Sequence, residues 1–312
     1  MSSEPSPQPA PFEFAGEPRL GEPKPRRRIG TIVTITLLSL ALSAAITGLA
    51  IFFVQLDIAN TRIEEQNRKL EQQKELIDKK ETFGAAMQTL LSTTKQFDGV
   101  LMANLVDFDS YESFASRAWT HRWDATALDR DTEHVTVATK GLEDLLAGAT
   151  AQAASNGTGS TYESVIDNLG RGFVASTLDD ADSFCEGDVL ACVGSEDPYT
   201  VHFDAPDSSL PYMTDWLKTG VAYHEFAHVL QFTNPGPTTA AVTAFGGDVE
   251  TMADCFALTY LEGWTLDHRI WVSSYEYYDV NIGYGYTCGD TQKQAIRDWY
   301  GTLGFTSRAI SQ

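Results

Sequence analysis

The sequence predicts an α+β fold, mostly helical with a small antiparallel sheet, preceded by one transmembrane helix and a helical stalk. Three observations predict it. Residues 29–56 form a 28-residue run without a charged side chain, whereas a bilayer-spanning helix needs only about 20. Beyond that run, apolar residues recur at helical spacing, as in Val135, Ala138, Leu142, Leu145 and Ala149. Between residues 171 and 204 the pattern changes to short β-forming runs separated by Asp, Gly and Pro.

Residues 1–28 hold seven of the twelve prolines and little able to build a core. Such a segment cannot offset its ordering entropy, so a disordered cytoplasmic tail is expected there. The apolar run that follows exceeds the roughly 7–15 residues of a signal-peptide core. It also continues through Ile51, Phe52, Phe53 and Val54, past the small residues between Ala41 and Ala45. An uncleaved anchor is therefore expected, meeting the lipid bilayer through residues 29–56. Lys24, Arg26, Arg27 and Arg28 crowd its N-terminal flank, and Asp57 begins the other. Basic flanks stay in the cytoplasm, which makes this a single-pass plasma-membrane protein with residues 57–312 outside.

Residues 57–82 read as a charged helical stalk. Leu56, Ile63, Leu70 and Ile77 recur every seven residues, but Gln66 and Gln73 stand where a second apolar residue belongs. A weak homodimer through the stalk and a solvated single-helix spacer both fit that pattern.

The net charge is −21, and the tail contributes +1, leaving −22 beyond it. So acidic a chain repels nucleic acid and anionic surfaces, and no nucleic-acid partner is expected. All four cysteines lie beyond the anchor, where disulfides persist. Of the pairings open to them, Cys185–Cys192 closing a short loop with Cys255–Cys288 as the second bridge is expected. Cys255 as a small buried helix residue is the alternative.

Residues 83–312 make up the remaining domain. Helices are expected from Phe83 to about Thr150, over 161–169, 213–232, 248–262 and 290–303. Short strands are expected at 172–175, 189–193 and 199–203. Residues 233–247 suit a loop, and 264–289 read as aromatic-rich and irregular, with enough Trp and Tyr to line a cleft.

The sharpest chemical signal is His224-Glu225-Phe226-Ala227-His228. Histidines four apart on a helix share a face, so both imidazoles can reach one metal ion. Glu225 then projects near the open coordination position, where it can serve as general base and later as acid for a zinc-activated water. A catalytic zinc ion takes three protein ligands and keeps one position open. Downstream, Glu250 and Asp254 share a helix face. Glu250 completes a His-His-Glu set, and Asp254 can accept the free N–H of a ligand histidine and fix its tautomer.

The His224–His228 motif followed by Glu250-x-x-x-Asp254 resembles the gluzincin type of zinc peptidase. More narrowly, Glu250-Thr251-Met252-Ala253-Asp254-Cys255-Phe256-Ala257 resembles a signature of bacterial neutral zinc metallopeptidases. Gln292, Gln294, Trp299 and Tyr300 resemble the C-terminal helix of that family. The resemblance covers about residues 185–304 and implies a zincin-like domain that hydrolyses peptide bonds, with Zn2+ as cofactor and a peptide or protein as substrate. It breaks where the family carries Thr-His-Gly and this chain has Thr287-Cys288-Gly289. Another group must then stabilise the oxyanion, and His268, Tyr284 and Tyr286 are the candidates. Gln231 and Asn234 occupy the positions where a metzincin needs glycine and a third histidine.

The other histidines read as structural. His202 falls on a strand face, and His121 and His134 stand alone in helical surroundings. The strand from Tyr199 to Phe203 is a candidate for pairing with an extended substrate. The rival reading is a non-catalytic envelope scaffold or binding domain with a structural or lost zinc site.

Overall fold

The computed structural model describes residues 29–185, 187, 189–285 and 288–310. The expected tail, residues 1–28, and Tyr286 lie outside the described residues. The chain divides into two units, residues 1–71 and 72–312.

The first unit is carried by helix α1, Ile29–Thr94. No Pro interrupts α1, and its apolar N-terminal half supplies one stretch long and apolar enough to cross a membrane, with none of that stretch buried. Leu56, Ile63, Leu70 and Ile77 are all exposed along the helix.

The second unit begins with the last turns of α1, where Phe83, Met87 and Leu90 turn into the core. Helix α2, Phe108–Thr120, starts at an Asp107 side chain that accepts from the Ser110 N–H. Helix α3, Ala125–Ser155, is capped by Asp124 in the same way, and α4, Thr161–Gly170, by Ser160. These short polar side chains take up backbone donors that a helix start leaves without partners. In α3 the buried stripe runs through Leu128, Val135, Leu142 and Ala149. Leu145, expected on that stripe, is 42% exposed; its position has rotated away from the face that meets α2 and α4.

A three-stranded sheet follows, from β1 (Ala175–Asp179), β2 (Ala191–Val193) and β3 (Thr200–Asp204), in the order β1-β3-β2. It is mixed, not antiparallel as expected: β1 runs parallel to β3, and β2 antiparallel. The chain reverses twice between β1 and β3, so the first and third strands share a direction. The run expected as a strand at 172–175 reaches extended pairing only at Ala175. Gly170 and Gly172 are spent instead on the tight exit from α4.

After a short helix α5, Ala205–Ser208, the central helix α6 spans Asp215–Thr233. Thr214 caps α6 by accepting from Leu217 N–H, and Gly220 allows Trp264 to lie directly on it. A Cβ at Gly220 would sit 2.0 Å from the Trp264 ring. Residues 233–247, expected as a loop, contain α7, Pro235–Ala241, and a 3-10 turn at Val242–Phe245. Proline at the first helical position starts a helix as readily as it ends one. Helix α8, Val249–Tyr260, packs on α6 and buries Met252, Ala253, Cys255 and Phe256.

Residues 264–289 are not irregular throughout. Strands β4, Asp267–Trp271, and β5, Tyr277–Asn281, form an antiparallel hairpin. Alternate residues face inward, so Ile270 and Val280 join the cluster around Met213, Leu217 and Trp264. Helix α9, Asp290–Tyr300, closes the fold with Ile296 and Trp299 in the core. The four cysteines form Cys185–Cys192 and Cys255–Cys288.

Candidate metal centre

Helix α6 is buried on nearly every side, with Val221, Phe226, Val229 and Leu230 fixing its rotation. That rotation points His224 and His228 at α8, whose first turn carries Glu250. Asp248 sets the start of α8 by accepting from the N–H groups of Glu250 and Thr251 at 2.9 and 3.3 Å. The result is three ligand atoms at the corners of a nearly equilateral triangle. His224 Nε2 lies 3.1 Å from His228 Nε2, and the two lie 3.2 and 3.1 Å from Glu250 Oε2. Tetrahedral ligands bonded at about 2.0–2.1 Å stand roughly 3.3–3.4 Å apart, so the triangle is of a size to hold a metal ion.

The outer nitrogens explain why these atoms need a cation between them. His224 Nδ1–H donates to Asp254 Oδ1 at 2.9 Å, and His228 Nδ1–H donates to Gln231 Oε1 at 2.8 Å. Gln231 is held in that sense because its own amide N–H donates to the Val249 carbonyl at 3.0 Å. Both imidazoles therefore present Nε2 lone pairs to the same point as a carboxylate oxygen. Three acceptors converging at that distance repel one another unless a proton or a metal ion lies among them.

In the metal-free chain a proton does this. Burial opposes the charge of His224, but hydrogen bonds to Asp254 and Glu250 outweigh it and push the imidazole up to about 10. Partial burial likewise opposes the Glu250 charge, yet the His224 and His228 imidazoles beside it hold that carboxyl well below the usual carboxylate range.

Glu225 sits beside the triangle, buried, and its Oε2 has no hydrogen-bond partner among the described residues. Burial pushes its carboxyl above the ordinary range more strongly than the two histidines pull it down, and Glu250 adds to the rise. With His224 it lines a cleft of about 210 Å³ whose walls include Leu190, Val221, Ile282 and Tyr284.

The remaining expected residues divide. Asp254 is buried and takes its place behind His224. Its second oxygen accepts the Tyr284 backbone N–H at 2.8 Å. The Tyr284 ring stacks on His224, with centroids 6.0 Å apart. Burial, with the nearby negative charge of Glu250, pushes that phenol up to about 12. His268 is not brought to the cleft. It faces inward from β4 against the Trp264 ring, 4.6 Å between centroids, because strand alternation places it with Ile270. The strand expected to pair with substrate, β3, is central and has β1 and β2 on its two edges. The edge strand bordering the cleft is β2, at Ala191. His202 is a strand-face residue bonded to Asp179 and Thr177, and His121 caps α2 and bonds Asp131.

Gln231 is the site residue that sequence reasoning passed over. Its signal was present: three positions after His228 on a helix, it must lie on the same face. Gln231→Leu is expected to weaken metal binding about 10- to 100-fold without unfolding the chain, as read by competition with a chromophoric chelator and by circular dichroism.

Comparison of the chain with family models, curated proteins and solved structures returned no match in any of the three.

Proposed function

We propose that the chain is a zinc-dependent peptidase anchored in the plasma membrane by α1, with residues 57–312 on the extracytoplasmic side. One observation carries this reading. Three lone pairs converge on a single point beside a buried, unpaired carboxylate in an open cleft. A purely structural site would have no use for Glu225, whose burial costs stability wherever it lacks a partner. The imidazole and carboxylate donors suit zinc, as does the three-ligand geometry.

His224, His228 and Glu250 would hold the zinc ion, which would supply a Lewis acid for the scissile carbonyl and its attacking water. Glu225 accepts the proton of the attacking water, a task that its raised basicity favours. It then returns the proton to the leaving amine nitrogen as the C–N bond breaks. Asp254 and Gln231 keep both ligand imidazoles in one tautomer. The free edge of β2 offers backbone groups to an extended peptide. The apolar walls at Leu190, Val221 and Ile282 favour an aliphatic or aromatic side chain beside the scissile bond. The basic flank before α1 and the two disulfides support the orientation.

The test is metal content and cleavage together. The full chain in detergent is expected to carry about one zinc ion, to lose it in His228→Ala, and to cleave a mixed peptide library at apolar positions. Bound zinc with no cleavage anywhere in the library would instead favour a binding module with a structural metal.

A further inference from the structure

We propose that Phe232 forms a second apolar wall of the site and selects peptides with a bulky apolar side chain on its side of the scissile bond; this rests on the peptidase reading above. From Phe226 to Asn234 every residue is buried except Phe232, which is 38% exposed. Single exposed apolar side chains are common and need no explanation by themselves. Position sets this one apart. Its ring stacks on the imidazole of His228, one turn back on α6, with centroids 6.3 Å apart and planes 27° from parallel.

The cleft beside Glu225 lies at the other end of the ligand pair. Its walls include Val221, His224 and Glu225 but neither His228 nor Phe232. Along α6 the order is Val221, His224, His228, Phe232, so the point shared by the two imidazoles falls between the Val221 wall and the Phe232 ring. At roughly 1.5 Å of rise per residue, His224 and Phe232 stand about 12 Å apart along the axis. Consecutive Cα atoms of a peptide are about 3.8 Å apart. A substrate whose scissile carbonyl sits at the ligand triangle therefore reaches both walls with the few residues around the bond. One side chain meets Leu190, Val221 and Ile282, and another, across the bond, meets Phe232. The ring is in place before substrate arrives. Gln231 bonds His228 and the Val249 carbonyl on one side of it, and Thr233 and Asn234 bond the carbonyls of Val229 and Leu230 on the other. An apolar surface fixed in this way costs little ordering when a side chain settles on it.

Phosphinic peptides, in which a tetrahedral phosphinate replaces the scissile amide, test this without turnover on the full zinc-loaded chain in detergent. One carries leucine on both sides of the phosphinate, and two others carry alanine on one side or the other. The parent should bind each alanine peptide at least about tenfold more weakly than the first. In Phe232→Ala one of these penalties should shrink to within about threefold, while the other persists because Leu190, Val221 and Ile282 are unchanged. Phe232→Trp keeps an aromatic ring beside His228 and should turn the same side towards alanine. In a peptide library, Phe232→Ala should lose the apolar preference on that side of the cleaved bond alone. The binding pattern supports the assignment even if the parent cleaves nothing, an outcome that would remove only the peptidase reading. Equal penalties in the parent and Phe232→Ala would overturn it. So would zinc loss in Phe232→Ala, which would make the ring a cover for His228, or a zinc-loaded parent that binds none of the three peptides.

Discussion

Glu225→Gln is expected to lower peptide hydrolysis by about 10²- to 10⁴-fold while zinc content stays at the parent level. The glutamate is not one of the three atoms that converge on the metal point, so its amide leaves that triangle intact. The amide cannot accept and return a proton. Glutamine is nearly isosteric, so the cleft keeps its shape and KM should change little. A stopped assay with a single peptide, run beside elemental analysis of the same preparation, separates this from metal loss. Activity within tenfold of the parent would show that Glu225 is not the base, and the proposed chemistry would fall with it.

The second large effect is on metal affinity as a function of pH. In the metal-free chain His224 is pushed from 6.5 up to about 10 by its carboxylate partners. Metal can bind only after that proton leaves, so affinity should rise about tenfold per pH unit over this interval. The stability of the metal-free chain moves the other way. A raised folded-state value contributes stability that is complete below 6.5 and lost as pH rises through about 10. The melting temperature of chelated protein should therefore fall between pH 7 and 10, whereas the metal-loaded protein holds its own. Chelator competition at pH 6.5, 7.5 and 8.5 checks the first trend, and thermal melts the second. A flat affinity across that range would mean that the proton is not shared at the ligand triangle.

What could be read from the residues alone was whatever depends on helical spacing. His224 with His228, and Glu250 with Asp254, are each four apart, and a helix has only one way to place such pairs. Facing the two pairs across a packed helix interface, as α6 and α8 do, required only a short reversal between them. Gln231 was read only as ruling out a metzincin, because glutamine carries no charge to mark it and its value lies in a neighbour's N–H. The hairpin at 267–281 was hidden by composition. Its outward positions Asp267, Arg269, Asp279 and Asn281 do alternate with inward His268, Ile270, Tyr278 and Val280, but Trp271 and Tyr277 face out beside the turn and masked the pattern. His268 was misjudged for the same reason. Direction in the sheet was illegible too, since pairing depends on where the chain turns and not on which residues favour strands. Residues 235–241 read as a loop because Pro, Gly and Thr are weak helix formers, yet Thr238 and the neighbouring residues are held by contact with α9.

Helix α8 gathers a candidate metal ligand, a carboxylate bonded to His224 and a bridging cysteine into Glu250, Asp254 and Cys255, within a turn and a half of one another. Any fluctuation that lifts this helix from α6 withdraws all three together. The centre therefore opens and closes as one cooperative unit.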